Sequence, residues 1–196
     1  MESNQSQPEN VELLEGSQLL QQSNFKAAQE SYKQTLEREP ENLEAIYGLG
    51  IIYQYEEKYE EAKKYFERAL NFYGENGAIL NSFGVVAANL GDHESARDSF
   101  EKAVKIDPSF LDAQKNLAEI YITTKEYEKG IEAYQEILKH HHDDIESLLN
   151  VGRLYYEIGD VDSTRFILEK VLEIDSENKF AKNSLKKLAD EEVVQA

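Results

Sequence analysis

The sequence predicts an all-α solenoid of five helical hairpins followed by a C-terminal capping helix, because two kinds of residue recur every 34 positions. Small residues recur at Gly16, Gly50, Gly84 and, two periods later, Gly152. Aromatic rings follow the same period at Tyr32, Phe66, Phe100 and Tyr134. A period of this length is typical of repeat proteins, in which each unit buries its apolar face only against its neighbours.

Each repeat is predicted to be a helix A, a turn and a helix B. Counted from Glu9, the five repeats span residues 9–42, 43–76, 77–110, 111–144 and 145–178. In repeat two, apolar or small residues at helical spacing occupy Ile46, Leu49, Gly50 and Tyr53, and then Tyr59, Ala62, Phe66, Ala69 and Leu70. The polar segment 56–58 separates the two sets and is predicted to be the turn.

Small residues and helix breakers support this division. Gly50 and Ala62 are predicted to face each other where helices A and B cross, because larger side chains would push the helices apart. Pro40 and Pro108 are predicted to end helix B because proline lacks a backbone donor, and Gly74 to end it as a terminating glycine.

The two ends of the chain differ from the repeats. Residues 1–8 are polar and are expected to form a disordered lead. Residues 179–190 are expected to form a capping helix that covers repeat five with one apolar side and turns its lysines to water. That side is predicted to carry Phe180, Ala181, Ser184, Leu185 and Leu188. Residues 191–196 are expected to be a frayed tail.

Composition restricts the partners. The formal net charge of −18 disfavours nucleic acid, and it favours a neutral or basic protein or peptide. No apolar run approaches the roughly 20 residues of a membrane span, so no membrane insertion is expected. The sequence has no cysteine and no secretory signal, and we expect a cytoplasmic protein without a cofactor.

These repeats resemble the tetratricopeptide repeat. Repeat two matches its pattern at Ile46, Leu49, Gly50, Tyr53, Ala62 and Phe66, and repeat three at Leu80, Phe83, Gly84, Ala96, Phe100 and Pro108. The resemblance covers residues 9–178 and implies a right-handed superhelix whose A helices line a concave groove. Repeat five departs from the pattern, with Thr164 at the small position of helix B and Leu168 at the ring position.

The resemblance places a binding face on helix A. Asparagine recurs there at Asn81, Asn116 and Asn150, and again at Asn183 in the cap. An amide both donates and accepts, so it can bind a peptide backbone of any sequence. We therefore predict a peptide along this face, with an aromatic anchor at one end and further polar contacts. The anchor is Tyr47 and Tyr55, and the other contacts are Asn89, Lys115 and Arg153. The alternative is that asparagine only fills a solvated helix face.

Other sites fit less well. Some members of the family bind the acidic tails of chaperones with a carboxylate clamp. Lys115 and Asn150 match two positions of that clamp, but Glu119, Phe180 and Ser184 stand where it needs other residues. The run His140–His142 cannot present three adjacent side chains to one metal ion from a helix, and no metal site is expected. No phosphate-binding loop or nucleophile–base motif is present, so no enzyme is expected.

Two functions remain open at this point. The first is a protein-binding adaptor whose groove holds a peptide or helix of a partner. The second is a scaffold that associates with copies of itself into a larger assembly.

Overall fold

Helices account for most of the part of the chain that the structure describes. The computed structural model describes the backbone of residues 16–195 and the side chains of residues 16–190. Its eleven helices are residues 16–21 (α1), Phe25–Arg38 (α2), Leu43–Tyr55 (α3), Tyr59–Tyr73 (α4), Gly77–Asn89 (α5), His93–Ile106 (α6), Leu111–Thr123 (α7), Tyr127–His140 (α8), Ile145–Glu157 (α9), Val161–Ile174 (α10) and Lys179–Gln195 (α11). They form sequential antiparallel pairs, which confirms the predicted all-α hairpin fold. The predicted lead at residues 1–8 lies outside the described residues.

The chain divides into two compact units at the helix end before Pro108. The N-terminal unit is Met1–Asp107 and the C-terminal unit is Pro108–Ala196. Within the N-terminal unit α3 packs on α4 and α5 on α6, and within the C-terminal unit α7 packs on α8 and α9 on α10. The odd-numbered helices from α1 to α9 therefore correspond to helix A, and the even-numbered ones to helix B.

Side-chain caps begin several of these helices. Asn42 accepts a hydrogen bond from the backbone N–H of Ala45 at 3.0 Å at the start of α3. Asn76 caps α5 twice, accepting from Ala78 at 3.0 Å and Ile79 at 3.2 Å. Such caps satisfy backbone donors that have no partner inside the helix.

Three of the B helices end where the sequence predicts that they end. Helices α2 and α6 end one residue before the dipeptides Glu39-Pro40 and Asp107-Pro108. Helix α4 ends at Tyr73, and the next residue, Gly74, has a φ of 74° that glycine adopts at little cost. The final helix α11 continues to Gln195, five residues beyond the predicted end of the cap at residue 190.

The turn between helices A and B has one geometry in every hairpin. A residue with positive φ recurs every 34 positions, at Ser23, Glu57, Gly91, Lys125 and Gly159. The N–H of the next residue always bonds to the carbonyl five residues back, as in Lys58 to Tyr53 at 2.9 Å. This is the Schellman termination of helix A, and it fixes the angle at which helix B returns.

The regular spacing of glycine and ring in repeats two and three reflects direct contact between them. A methyl group added to Gly50 would lie 2.5 Å from the Phe66 ring, and one on Gly84 would lie 2.6 Å from the Phe100 ring. Gly50 was predicted to face Ala62 of helix B, and the nearest group that its added methyl would meet is the ring of Phe66 on the same helix. Small residues are needed at this position because an aromatic ring occupies the space of their side chain.

The last helix covers repeat five with only part of its apolar side. Ala181 and Leu188 are buried and pack with Leu148, Leu168 and Val171. Phe180, predicted to lie on the same side, is 56% exposed. Successive helical residues point about 100° apart, so Phe180 falls at the edge of the buried stripe and not at its centre. None of the described helices is long and apolar enough to span a membrane.

Candidate functional site

A polar cluster joins three helices of the C-terminal unit. The hydroxyl of Tyr134 on α8 donates to Glu119 Oε1 on α7 at 2.6 Å. The amide of Asn150 on α9 donates to the same hydroxyl at 2.9 Å. Burial of the ring raises the pKa of Tyr134, and the hydrogen bond to Glu119 raises it further. The hydroxyl therefore stays protonated and holds the two side chains in place.

An open groove of about 550 Å³ lies beside this cluster. It is lined by α7, α9 and α11, the A helices of the unit together with the cap, through Glu119, Ile145, Glu146, Leu149, Asn150, Arg153 and Phe180. Two predicted binding residues, Asn150 and Arg153, are thus brought together, and Arg153 is exposed to solvent. The groove offers hydrogen-bonding groups, charges of both signs and apolar surface in one place.

Lys115 has acidic neighbours near this groove. Its ammonium lies 2.5 Å from Glu146 Oε2 and 3.3 Å from Asp144 Oδ2. The hydrogen bond to Glu146 raises the pKa of Lys115. Burial works to raise the pKa of Asp144, but hydrogen bonds from Ser147 and Lys115 outweigh it and leave that pKa below its usual value. Lys115 therefore links α7 to the start of α9.

The remaining predicted residues of this unit are less closely grouped. Asn116 is half-buried on α7 and already interacts with another group of the protein. Asn183 is exposed on α11 and does not line the groove.

The predicted aromatic pair of the N-terminal unit has separate partners. Tyr47 is half-buried, with its hydroxyl 3.0 Å from Ser82 Oγ and its ring centroid 5.7 Å from that of Phe66. Tyr55 is 69% exposed and stacks on Phe25 with centroids 5.2 Å apart. Tyr47 therefore contributes to packing between α3 and α5, and Tyr55 is the more accessible ring.

The two asparagines of the N-terminal unit also have local partners. Asn89 is exposed, and its amide donates to the carbonyl of Val85 on the same helix at 2.8 Å. Asn81 is half-buried and already interacts with another group of the protein.

The hydroxyl of Tyr134 is the functional group that sequence reasoning missed. Its place in the ring series predicts a core residue, and its ring is indeed 1% exposed. The available signal was the choice of tyrosine, since Phe66 and Phe100 occupy the same position in repeats two and three. A buried tyrosine usually finds a partner for its hydroxyl, so this substitution predicts a polar neighbour.

A second cavity of about 290 Å³ lies between α9, α10 and α11. Its lining residues are Gly152, Arg153, Tyr156, Thr164, Leu168, Phe180, Ser184, Lys187 and Leu188. Lys187 donates to the hydroxyl of Tyr156 at 3.1 Å, and its ammonium lies 4.9 Å from the centroid of the same ring. The cavity shares Arg153 and Phe180 with the open groove.

The histidine run carries no cluster of ligands. His142 Nε2 lies 3.3 Å from Asp143 Oδ2, and both side chains are exposed. Within the described residues, no group of three or more histidine, aspartate or glutamate side chains could hold a metal ion.

Comparison with known families gives one consistent result. Models of the tetratricopeptide repeat match residues 13–70, 42–109, 87–149 and 145–178. The matches together run from residue 13 to residue 178, close to the range in which the repeat pattern was found.

Curated relatives are distant and longer. Tetratricopeptide repeat protein 8 of Caenorhabditis elegans is 26% identical over 162 residues, covering 81% of this chain and 32% of that protein. The probable UDP-N-acetylglucosamine–peptide N-acetylglucosaminyltransferase SPINDLY of Hordeum vulgare is 27% identical over 175 residues, covering 85% of this chain and 18% of that protein. The chain thus spans about a third or less of the length of these relatives.

Solved structures share the fold. The structure of MamA has a TM-score of 0.79 and 21% identity, covering 86% of this chain and 92% of that one. YrrB, described as a TPR protein with an unusual peptide-binding site, also has a TM-score of 0.79 and 21% identity, covering 89% of this chain and 90% of that one. At this identity the likeness extends to the fold alone.

Proposed function

Since the chain belongs to the tetratricopeptide repeat family, we propose that it is a protein-binding adaptor that holds a peptide or helix of a partner against its A helices. Tetratricopeptide repeat proteins generally act in protein–protein interaction. The finer proposal concerns where the partner binds, namely the groove of the C-terminal unit lined by α7, α9 and α11.

The observation that carries this proposal is the arrangement around Asn150. Asn150 uses one amide hydrogen on Tyr134, and Tyr134 in turn donates to Glu119. An amide has two donor hydrogens and an acceptor oxygen, so Asn150 retains hydrogen-bonding capacity for a peptide backbone. Because its orientation is already held by Tyr134, little conformational entropy is lost when a peptide binds.

The charges of the groove favour a partner segment that is neutral or basic. Glu119 and Glu146 line one part of it and Arg153 another. The formal net charge of −18 adds a long-range field that attracts basic segments and repels acidic ones. We therefore propose a binding role that needs neither a cofactor nor a catalytic step.

The proposal is tested by capture of partners from lysate with wild-type protein and with an Asn116→Ala, Asn150→Ala double variant. We expect the double variant to lose roughly tenfold or more in affinity, because each lost hydrogen bond contributes about 0.5–1.5 kcal/mol. Asn71→Ala is the matched control, since Asn71 is an exposed asparagine on helix B of repeat two. Equal capture by wild type and by a folded double variant would contradict the proposal.

Self-association is the second candidate, and exposed aromatic side chains favour it. Phe72 and Tyr73 stand next to each other at the end of α4 and are 50% and 45% exposed. Neighbouring exposed rings form apolar surface of the kind that an interface covers. Light scattering over a range of concentrations separates the two functions, because a monomer at every concentration contradicts the scaffold.

A further inference from the structure

Helix B of repeat two ends in an exposed ring at a position that is polar in the other repeats. Tyr73 is the last residue of α4 and is 45% exposed. Counted in steps of 34 residues, the same position is Glu39, Asp107, His141 and Asp175 in the other repeats. Polar residues are the ordinary occupants of a solvated helix end. The ring is therefore a feature of repeat two and not a requirement of the repeat fold.

Tyr73 lines an open pocket where repeat one joins repeat two. The volume of this pocket is about 460 Å³. The rest of its lining comes from the linker between α2 and α3 and from the first residue of α3, namely Glu39, Pro40, Glu41, Asn42 and Leu43. The proline, the leucine and the tyrosine ring give the pocket apolar walls, and the two glutamates give it carboxylates.

One of these carboxylates is held in place by the cap of α3. Asn42 accepts a hydrogen bond from the backbone N–H of Ala45 at 3.0 Å, and its amide donates to Glu39 Oε2 at 2.7 Å. A carboxylate has about four acceptor positions, so Glu39 retains capacity for a ligand. Because the cap already orients Glu39, little conformational entropy is lost when a donor binds to it.

The charges of the pocket favour a cation as its occupant. Glu41 is exposed, and the formal net charge of −18 attracts cations and repels phosphate groups and acidic segments. The same face of a second copy would bring two further carboxylates to the pocket, which disfavours that occupant. The guanidinium of Arg68, outside the lining residues, bonds to the carbonyl of Pro40 and lies 6.0 Å from the centroid of the Phe72 ring. This linker therefore already holds one guanidinium beside a ring.

We propose that this pocket, the loop pocket, binds an arginine side chain of a partner segment. The guanidinium pairs with Glu39 and Glu41 and stacks on the ring of Tyr73. Its alkyl stem packs on Pro40 and Leu43. Arginine suits these contacts because its planar cation stacks on aromatic faces and offers parallel donors to a carboxylate.

The loop pocket goes beyond the proposed adaptor groove. The groove is lined by residues of the C-terminal unit, whereas the loop pocket belongs to the N-terminal unit. The two sites therefore fail or stand separately. A partner that engages both gains affinity through effective concentration.

The binding test uses the full chain and a synthetic probe, acetyl-Ser-Gly-Ser-Arg-Ser-Gly-Ser-amide. Amide NMR titration compares it with analogues in which lysine or leucine replaces the arginine. We expect the arginine peptide to bind roughly threefold or more tightly than the lysine peptide of equal charge, because only the guanidinium stacks and donates in parallel. The leucine peptide should bind more weakly than both. The shifts of the arginine peptide should include the amides of Glu41 and Leu43.

Variants of the ring use repeat three as their model. Tyr73→Asp copies Asp107, which occupies the same position there. The added carboxylate attracts both cations, so this variant should lose the preference for arginine over lysine and not the binding of cations in general. Tyr73→Phe keeps a ring and should keep the preference. Far-UV circular dichroism checks that both variants are folded.

Variants of the carboxylates have a charge-matched control on α4. Glu39→Gln with Glu41→Gln should weaken the arginine peptide roughly twofold or more, and the glutamine at position 39 can still accept from Asn42. Glu60→Gln with Glu61→Gln changes the net charge equally in the first turn of α4, at the end opposite Tyr73. This control should weaken the peptide less.

The outcomes distinguish the loop pocket from the adaptor groove. The Asn116→Ala, Asn150→Ala variant should still bind the arginine peptide at Glu41 and Leu43, whatever it does to capture in the groove. Equal affinity for the arginine and lysine peptides, or shifts confined to α7 and α9, would overturn the loop pocket and leave the groove proposal untouched. Binding of the leucine peptide as tight as that of the arginine peptide would also overturn it. So would dimerisation of the wild type that Tyr73→Asp abolishes, since the occupant would then be a second copy.

Discussion

The same glycine-to-alanine change should have opposite effects in two repeats. Gly84 and Gly152 occupy the same repeat position, and both lie inside A helices, where alanine is favoured over glycine by about 0.5–1 kcal/mol. A methyl group at Gly84 would lie 2.6 Å from Phe100 Cε1, whereas at Gly152 its nearest neighbour is 3.4 Å away. The Phe100 ring is 2% exposed, so it has little room to move aside.

The magnitude follows from these two effects. Overpacking in a core costs typically about 1–3 kcal/mol, and it applies only to Gly84→Ala. Gly152→Ala should therefore stabilise the protein by about 0.5–1 kcal/mol. Gly84→Ala should leave it about 1–3 kcal/mol less stable than Gly152→Ala.

Urea unfolding followed by far-UV circular dichroism measures both changes. A double-mutant cycle adds Phe100→Leu, which places a leucine opposite residue 84 as Leu168 stands opposite Gly152. With the ring removed, Gly84→Ala should no longer destabilise the protein. If Gly84→Ala and Gly152→Ala shift stability equally, ring contact does not explain the glycines.

Three further predictions concern the turns, the caps and one carboxylate. Lys125→Gly should stabilise the protein by about 1 kcal/mol in urea unfolding, because Lys125 has a φ of 61° that glycine adopts without strain; a loss of stability would contradict the strain argument. Asn76→Ala should lower the free energy of unfolding by about 1 kcal/mol, because the Asn76 side chain caps α5. Asn24→Ala should lower it little, because Asn24 makes no side-chain cap, and equal losses from the two substitutions would refute this. Because folding lowers the pKa of Asp144, its ionised carboxylate stabilises the protein fully at pH values above 3.8, the ordinary pKa of an aspartate. This contribution is lost as the pH falls below 3.8 and through the lowered pKa of the folded state. Lys115→Met should raise that pKa in an NMR titration, and an unchanged pKa would contradict the pairing.

The hairpin fold was predictable because it depends on residues whose type is constrained by packing. A period of 34 residues in glycines and rings requires a repeated unit, and Pro40, Gly74 and Pro108 each stop a helix by local backbone chemistry. These signals are carried by single residues and need no knowledge of tertiary contacts.

The left-handed residue of each hairpin turn was harder to detect. Gly91 and Gly159 are what the geometry favours, but Ser23, Glu57 and Lys125 hold the same conformation in the other turns. Tertiary packing of helices A and B outweighs the local cost there, so residue type alone does not reveal the position. The 34-residue period relates all five, once the structure has identified one of them.

The candidate site was predictable only in part, because it depends on side chains from different helices. Asn150 and Arg153 were proposed from the groove-facing positions that the family resemblance implies, and both line the groove. The cluster around Tyr134 joins residues 15 and 16 positions apart, and its hydroxyl partners follow from the packing of α7, α8 and α9. The exposure of Phe180 likewise depends on how α11 is rotated against repeat five.

The central claim is that the partner lies along α7, α9 and α11, and site-specific photocrosslinking tests it most directly. A photoreactive benzoylphenylalanine is placed at Arg153 in the groove or at Glu169, an exposed residue of α10 that does not line the groove. With a captured partner, the account predicts crosslinks from position 153 and essentially none from position 169. Crosslinks of equal yield from both positions, or from position 169 alone, would contradict it.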